Sequence, residues 1–454
     1  MRSKSIWLLI STLILISLLA SACQPAATVA PTQAIAPTEA SQPTTAPTEA
    51  VQPTAAPTET SAAVAETPVM TATQAITPTA AVTSTAASKP ITFGMILVGP
   101  YNDSGWSQAT YEGGQYVESK DPGTKLIYID NAFSHQGTTP AQLAEQLLSQ
   151  GANVIIFNSD SFMDDSNTFA TAHTDIPVIM LSGDQEWKEG QDYKGFPNMI
   201  DIMGRMEYMK EVAGCAAALT TQSGKIGFLG PLINPETRRL AASAFLGAKY
   251  CWTKVLNKDA KTLTFSVTWI GNWFNIPGQT LDPTAVADQF YNSGYDVVIS
   301  GIDTTEALVE AKKMNDAGKK VFAIPYDYHN ACSQAPSVCL GVPYFNWGPA
   351  LLKNIKAIQD GTWTAHFEWN PPDWEHFNQP DYGAVGFNTG DALSADNKTK
   401  LEAFITDLSK GLNLWTGPIN LQDKTVYLKD GEVATDQQVW YLPQLLEGME
   451  GKSK

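Results

Sequence analysis

The chain has 454 residues, 43% of them hydrophobic, and a formal charge of −17. That length suits more than one ordinary core. The acidity argues against nucleic acid or an anionic membrane surface as the main partner, since both reward clustered Lys and Arg.

Arg2 and Lys4 open the chain, Ile6 to Leu19 form an almost unbroken apolar run, and Ala20-Ser21-Ala22 put small residues ahead of Cys23. The run is too short for a stable span, so this is the layout of a secretory signal. It resembles a bacterial lipoprotein signal, with Ala20 where an aliphatic residue is usual. The resemblance implies removal of residues 1–22 and acylation of Cys23 (palmitate), with the lipid bilayer as partner on the extracytoplasmic face of the cell membrane. Buried acyl chains contribute about 0.8 kcal/mol per methylene, so several together make a durable anchor.

From Gln24 to about Ser88 the chain is Ala, Thr, Pro, Val and Glu, with units such as Ala46-Pro47-Thr48-Glu49-Ala50 recurring. Such a segment buries too little surface to offset a backbone ordering entropy of about 1–2 kcal/mol per residue. Its prolines favour extended conformations, so residues 23–88 read as a disordered tether.

From Lys89 onward, apolar runs alternate with helical stretches. Candidate strands are Ile91–Gly99, Lys125–Asp130, Asn153–Asn158, Ile176–Ser182, Lys225–Gly230, Leu263–Ile270, Asp296–Gly301, Lys320–Asp327 and Val338–Tyr344. Candidate helices are Tyr111–Lys120, Pro140–Gln150, Gly204–Thr221, Pro235–Tyr250, Pro283–Asn292, Thr305–Ala317 and Pro349–Asp360. Short, continuous Val/Ile-rich strands between helices predict βαβ units and parallel sheets. The likeness of Gln146–Ile156 to Gln289–Ile299, each a helix, a Gly cap and a strand, suggests two similar α/β lobes in series, although the pattern also arises by chance in α/β folds. Lys429-Asp430-Gly431-Glu432, between Thr425–Leu428 and Val433, signals a hairpin.

Cys215, Cys251, Cys332 and Cys339 form an even remainder in an exported chain, which favours disulfides with three possible pairings. Cys332–Cys339 and Cys215–Cys251 are the preferred ones.

Ligands of parallel α/β lobes collect at the carboxyl ends of strands. That rule selects Asn102, Asp103 and Trp106 after the first strand, Asn158 and Asp160 after the third, and Ser182 and Asp184 after the fourth. In the second half it selects Trp273 and Phe274, Gly301 and Asp303, and Asp327. Each has a plain alternative, because Asp and Asn after strands often cap the next helix and tryptophans often pack at rims. Trp106 and Trp273 stand out because each follows a first-type strand of its lobe, so closure could stack both on one flat ligand.

Asn102-Asp103-Ser104-Gly105-Trp106-Ser107-Gln108 with Glu112-Gly113 resembles the signature loop of the basic membrane protein (Bmp, PnrA-like) family of ABC-importer substrate-binding lipoproteins. Gly204-Arg205, Tyr208 and Ala213-Gly214, then Lys225–Phe228, Pro231, Pro235-Glu236, Ala244–Ala248, Asn272–Phe274 and Leu442–Gly448 fit in order. The resemblance implies a type I periplasmic-binding fold, α/β, with two Rossmann-like lobes of parallel sheets joined by a three-crossing hinge. Lobe 1 would span about 89–198 and 344–370, and lobe 2 about 199–343 and 371–451. It implies a non-catalytic monomer without a cofactor or metal, whose partners are a purine nucleoside or nucleobase and an ABC permease.

By position Trp106 and Trp273 (or Phe274) match the stacking aromatics, Asp327 a ligand-contacting acid and Gly301 a backbone contact. Gly99-Pro100 and Ser182 stand where the family carries acids that hold ribose, which favours a nucleobase or a differently decorated aromatic.

A tethered extracytoplasmic hydrolase acting on nucleosides is the competing reading. The sequence has no His-Glu-x-x-His, no Gly-x-Ser-x-Gly and no Gly-rich phosphate loop with Lys, and its five histidines are scattered. A sensory receptor would use the same cleft.

Overall fold

The computed structural model describes residues 90–454. The signal, Cys23 and the tether lie outside the described residues. In chain order the strands are β1 (Ile91–Ile96), β2 (Thr124–Ile129), β3 (Val154–Phe157), β4 (Val178–Leu181), β5 (Met199–Gly204), β6 (Lys225–Gly230), β7 (Thr264–Trp269), β8 (Val297–Ser300), β9 (Phe322–Ile324), β10 (Gly341–Phe345), β11 (His366–Asn370), β12 (Val385–Thr389), β13 (Ile419–Asn420), β14 (Val426–Leu428) and β15 (Met449–Glu450). The helices are α1 (Trp106–Lys120), α2 (Pro140–Ser149), α3 (Met163–Ala172), α4 (Met206–Thr220), α5 (Pro235–Tyr250), α6 (Pro283–Asn292), α7 (Glu306–Asp316), α8 (Trp347–Asp360), α9 (Ala395–Ser409) and α10 (Asp436–Trp440).

Two parallel sheets make two lobes. The first has the order β11-β5-β4-β3-β1-β2 and the second β15-β7-β6-β8-β9. Val154–Phe157 and Val178–Leu181 are buried throughout, which explains their unbroken apolar character, since helices cover both faces of a parallel sheet. Several helices start where side chains satisfy the first free N–H groups. Thr139 with Gln142 boxes the start of α2, and Asn234 with Thr237 boxes that of α5, each with Pro at the first helical position. Helices α4 and α5 lie almost backbone to backbone: a Cβ on Gly214 would sit 1.8 Å from the Ala244 carbonyl oxygen, and one on Gly247 would sit 1.9 Å from that of Glu211.

The chain crosses between lobes after β5, again along β10, and a third time along β12. Strands β10 and β12 pair antiparallel, from Gly341 opposite Thr389 to Phe345 opposite Val385. Cys215 is bonded to Cys251, fastening α4 to the end of α5, and Cys332 is bonded to Cys339.

Several expectations change. Met199–Gly204 is a strand of the first sheet, paired with both β4 and β11, so the first lobe runs on to Gly204 instead of ending at 198. Asp201, fully buried in the middle of that strand, interrupts the apolar run that would have announced it. Helix α1 begins at Trp106, not Tyr111, and α4 begins at Met206, not Gly204. Helices α3, α9 and α10 and strands β11, β12, β13 and β15 are additional elements. The Lys429–Glu432 turn is present, but β14 pairs with β13, and Val433 bridges Thr416.

Candidate functional site

A small cavity lies where the carboxyl ends of the two sheets face each other. The first lobe supplies Trp106 at the start of α1, Ser159 and Asp160 after β3, and Ser182 after β4. The second supplies Glu236 in the first turn of α5, Trp273 after β7, Asp303 after β8 and Tyr326 after β9. Trp106 and Trp273 are only 7% and 8% exposed, so the lobes are closed over both indoles.

Trp106 is fixed from behind. Its Nε1–H donates to the Asn158 carbonyl, and its ring meets Phe345 and Trp347 edge-on at 5.1 and 5.3 Å. Those two rings stack on each other at 4.8 Å. Asn158 is held in turn, because its Oδ1 accepts from Val98 N–H at 2.8 Å. Trp273 sits in a loop tied by its backbone: its N–H donates to Asn272 Oδ1 at 2.6 Å, and its carbonyl accepts from Asp303 N–H at 3.0 Å. The lobes touch elsewhere too, as where the Tyr328 hydroxyl donates to Glu112 at 2.8 Å. Asn234 Nδ2 donates to Asp160 Oδ2 at 3.4 Å, and the Gly105 backbone presses against Asp303, where a Cβ on Gly105 would stand 1.6 Å from the carbonyl oxygen.

Burial pushes the carboxyl groups of Asp160, Glu236, Asp303 and Asp327 upward, with neighbouring acids adding to the rise at the last three. Lys210 is the counter-charge beside Asp327. Its Nζ donates to the Ser300 carbonyl at 2.8 Å and lies 3.2 Å from the centre of the Tyr326 ring, and burial lowers it to about 7. Asp327 has left-handed backbone (φ 72°), is fully buried, and finds no donor for either carboxylate oxygen among the described residues. The cavity is therefore acid-rich and walled by indoles.

Of the residues selected from sequence, Trp106, Asp160, Ser182, Trp273 and Asp303 line the cavity. Asn158 stands behind Trp106 and leaves its buried Nδ2 without an acceptor. Six others do not line it. Asn102 is exposed. Asp103 caps α1, accepting from the N–H groups of Gly105, Ser107 and Gln108. Asp184 instead binds Trp440 Nε1 at 2.8 Å and the Tyr441 hydroxyl at 2.7 Å, strapping the C-terminal segment to the first lobe. Phe274 packs against the core. Gly301 spends its N–H on the Leu229 carbonyl, and a Cβ there would meet Phe228 at 2.8 Å. Asp327 lies next to the cavity, against Lys210, but not in its wall.

Sequence reading did not select Ser159, Glu236, Tyr326 or Lys210. Ser159 and Tyr326 flank selected residues at strand ends. Glu236 lies on a helix start, which the strand-end rule ignores. Lys210 is legible only as a lone cation in the otherwise buried, Ala-rich α4. Among the described residues no set of three or more His, Cys, Asp or Glu side chains is placed to hold a metal ion.

The profile of the family described as ABC transporter substrate-binding protein, PnrA-like (Bmp), matches residues 91–363. Leu442–Gly448 falls beyond that match. A purine-binding protein of Brucella abortus is 27% identical over 371 residues, covering 81% of this chain and 95% of the relative. A Haloferax volcanii chain named for glucose binding by an ABC transporter is 24% identical over 274 residues, 60% of this chain and 62% of that one. Among solved structures, an Aeropyrum pernix ABC solute-binding protein superposes with a TM-score of 0.54 at 14% identity, covering 73% of this chain and 93% of that one. One from Conexibacter woesei gives 0.52 at 14% identity, covering 71% and 98%. Two parallel-sheet lobes closed on one cavity, together with that profile match, place the chain in the PnrA-like (Bmp) family of ABC transporter substrate-binding proteins.

Proposed function

We propose that this protein is the extracytoplasmic solute receptor of an ABC importer and that it encloses a purine base or nucleoside between its lobes. The observation that carries the reading is the pair of indoles, Trp106 and Trp273, contributed by opposite lobes to one closed cavity. Each ring stacked on a flat solute adds about 0.5–1.5 kcal/mol beyond area burial. The purine-binding Brucella relative supports the same ligand class. Absence of the ribose-holding acids at Gly99-Pro100 and Ser182 favours a base. Cys23, acylated, would hold the chain to the membrane, with the segment up to residue 88 as spacer. A single chain would close on its solute and present the closed outer surface to the permease.

Calorimetric titration of the mature chain with purine bases and nucleosides tests the ligand, and tight binding of at least one is expected. Detergent partitioning that is lost on Cys23→Ser tests the anchor.

A hexose is the second reading. Paired indoles and carboxylates also suit a sugar, with hydroxyls on the acids, and the Haloferax relative is named for glucose. Glucose titrated in parallel separates the two: tight glucose binding without purine binding replaces the first reading.

A further inference from the structure

Among the side chains that line the cavity, one buried polar atom meets no hydrogen-bonding partner in the described residues: the hydroxyl of Tyr326. Two of its neighbours in the wall are engaged. Trp106 Nε1–H goes to the Asn158 carbonyl, and Asp160 receives the Trp273 side chain and the Ser161 N–H. A phenol buried without a partner counts against folding, because water serves it in the unfolded chain. Tyr326 is 3% exposed, so it bears that cost in the closed form.

The ring is held too firmly to find a partner by turning. Tyr326 follows β9, where Tyr328 N–H donates to its carbonyl at 2.9 Å. Asp327 N–H donates to the Pro343 carbonyl at 3.1 Å, which ties this strand end to β10. Phe345 packs against the Tyr326 ring at 6.0 Å, and Lys210 Nζ stands 3.2 Å from its centre. Lys210 is itself fully buried and pinned to the Ser300 carbonyl at 2.8 Å.

The same arrangement sets the sense of the missing hydrogen bond. An ammonium against the ring face draws electron density from the phenol, which strengthens O–H as a donor and weakens the oxygen as an acceptor. Burial and the charges of Asp327, Glu236 and Asp303 keep the proton on this hydroxyl well above the ordinary tyrosine range. Glu236 and Asp303 line the cavity, so the hydroxyl lies where the edge of a solute faces it.

We propose that Tyr326 is the specificity residue of the second lobe, its hydroxyl donating to one acceptor on the ring edge of the solute, a ring nitrogen or an exocyclic oxygen. This rests on the reading that a purine fills the cavity, and it adds which residue reads the edge and in which sense. The two indoles take any flat ring of the right size. The hydroxyl rewards only a ring whose acceptor falls opposite it, and a C–H there leaves the phenol as unmatched as before.

Tyr326→Phe removes that one oxygen and leaves the ring in its seat. The tightest-binding purine, titrated into the mature chain, is expected to bind this variant about three- to tenfold more weakly. The variant's denaturant midpoint should equal or exceed that of the wild type, because the lost oxygen bonds nothing in the described fold. Analogues of that purine complete the test: C–H replaces each acceptor nitrogen of the ring in turn, and hydrogen replaces the exocyclic group. One analogue is expected to lose the same factor against the wild type and nothing further against Tyr326→Phe. Unchanged affinity in the variant overturns the donor, and so does a midpoint that drops along with affinity. A series in which every replacement costs wild type and variant alike overturns it too. Each of these outcomes leaves the purine reading standing. If no purine base or nucleoside binds the wild type, that reading falls and this one falls with it.

Discussion

Trp106 and Trp273 are buried to the same degree, yet they stand on different foundations. Trp106 belongs to the large core that runs through the molecule, with its N–H on Asn158 and its ring against Phe345 and Trp347 at the hinge strand. Trp273 joins none of the hydrophobic clusters among the described residues and pairs with no aromatic ring there; backbone bonds to Asn272 and Asp303 hold its loop. One indole is part of the fold and also faces the cavity. The other is buried mainly because the opposite lobe closes over it. In such a cleft the fixed wall can be spared by neither folding nor binding, whereas the second wall is free to be tuned to the ligand.

The sharpest way to break that contrast is to truncate both rings. Trp106→Ala is expected to cost about 3–5 kcal/mol of stability in denaturant unfolding, in addition to ligand affinity, as removal of a core aromatic does. Trp273→Ala should shift the unfolding free energy by less than about 1 kcal/mol but remove about 2 kcal/mol or more of binding free energy by calorimetry. If the two variants unfold alike, the contrast is wrong.

A smaller effect is expected at Asp184, which ties the first lobe to the C-terminal strap. Asp184→Ala strands the Trp440 and Tyr441 donors and should cost about 1–3 kcal/mol in thermal or chemical unfolding, with little change in ligand preference.

The gentlest probe is pH. Burial raises Asp201 from 3.8 to about 8, and Asp160, Glu236, Asp303 and Asp327 move the same way. Acids raised in the folded state stabilise fully below their unfolded values, and that contribution is lost as pH climbs toward the folded ones. Lys210, lowered to about 7, acts oppositely, its destabilisation easing only above that value. The unfolding free energy should therefore fall between about pH 4 and pH 7, by at most about 1.4 kcal/mol per pH unit for each group. Asp201→Asn should flatten the slope, and an unchanged slope would mean that this carboxyl is not held neutral.

Much of this architecture can be read in the residues. The βαβ order, the strand-end rule and the two indoles all follow from short Val/Ile runs between capped helices. What escaped reading did so for physical reasons. Met199–Gly204 carries Asp201 inside a central strand, and β11 carries Glu368, whose charge is matched by Lys353 and Asn354 of α8 and by His366 and Asn370 of its own strand. Asp103 and Asp184 have the composition of ligand residues, but they were claimed by backbone N–H groups and by a strap more than 250 residues away. Glu236 sits on a helix start, where an acid more commonly serves the helix, and only the closed pair of lobes turns it toward a solute.

Gly105 makes the closed form conditional on a single missing methyl group. The Asp303 carbonyl oxygen occupies the space a Cβ would take, which is what requires glycine there. Alanine there acts as a doorstop: each half keeps its shape, yet the jaws stay ajar, and a solute that enters is never sealed from water. Such a variant would separate touching the cargo from being counted as loaded, because a transporter that recognises the shut outline would pass it by.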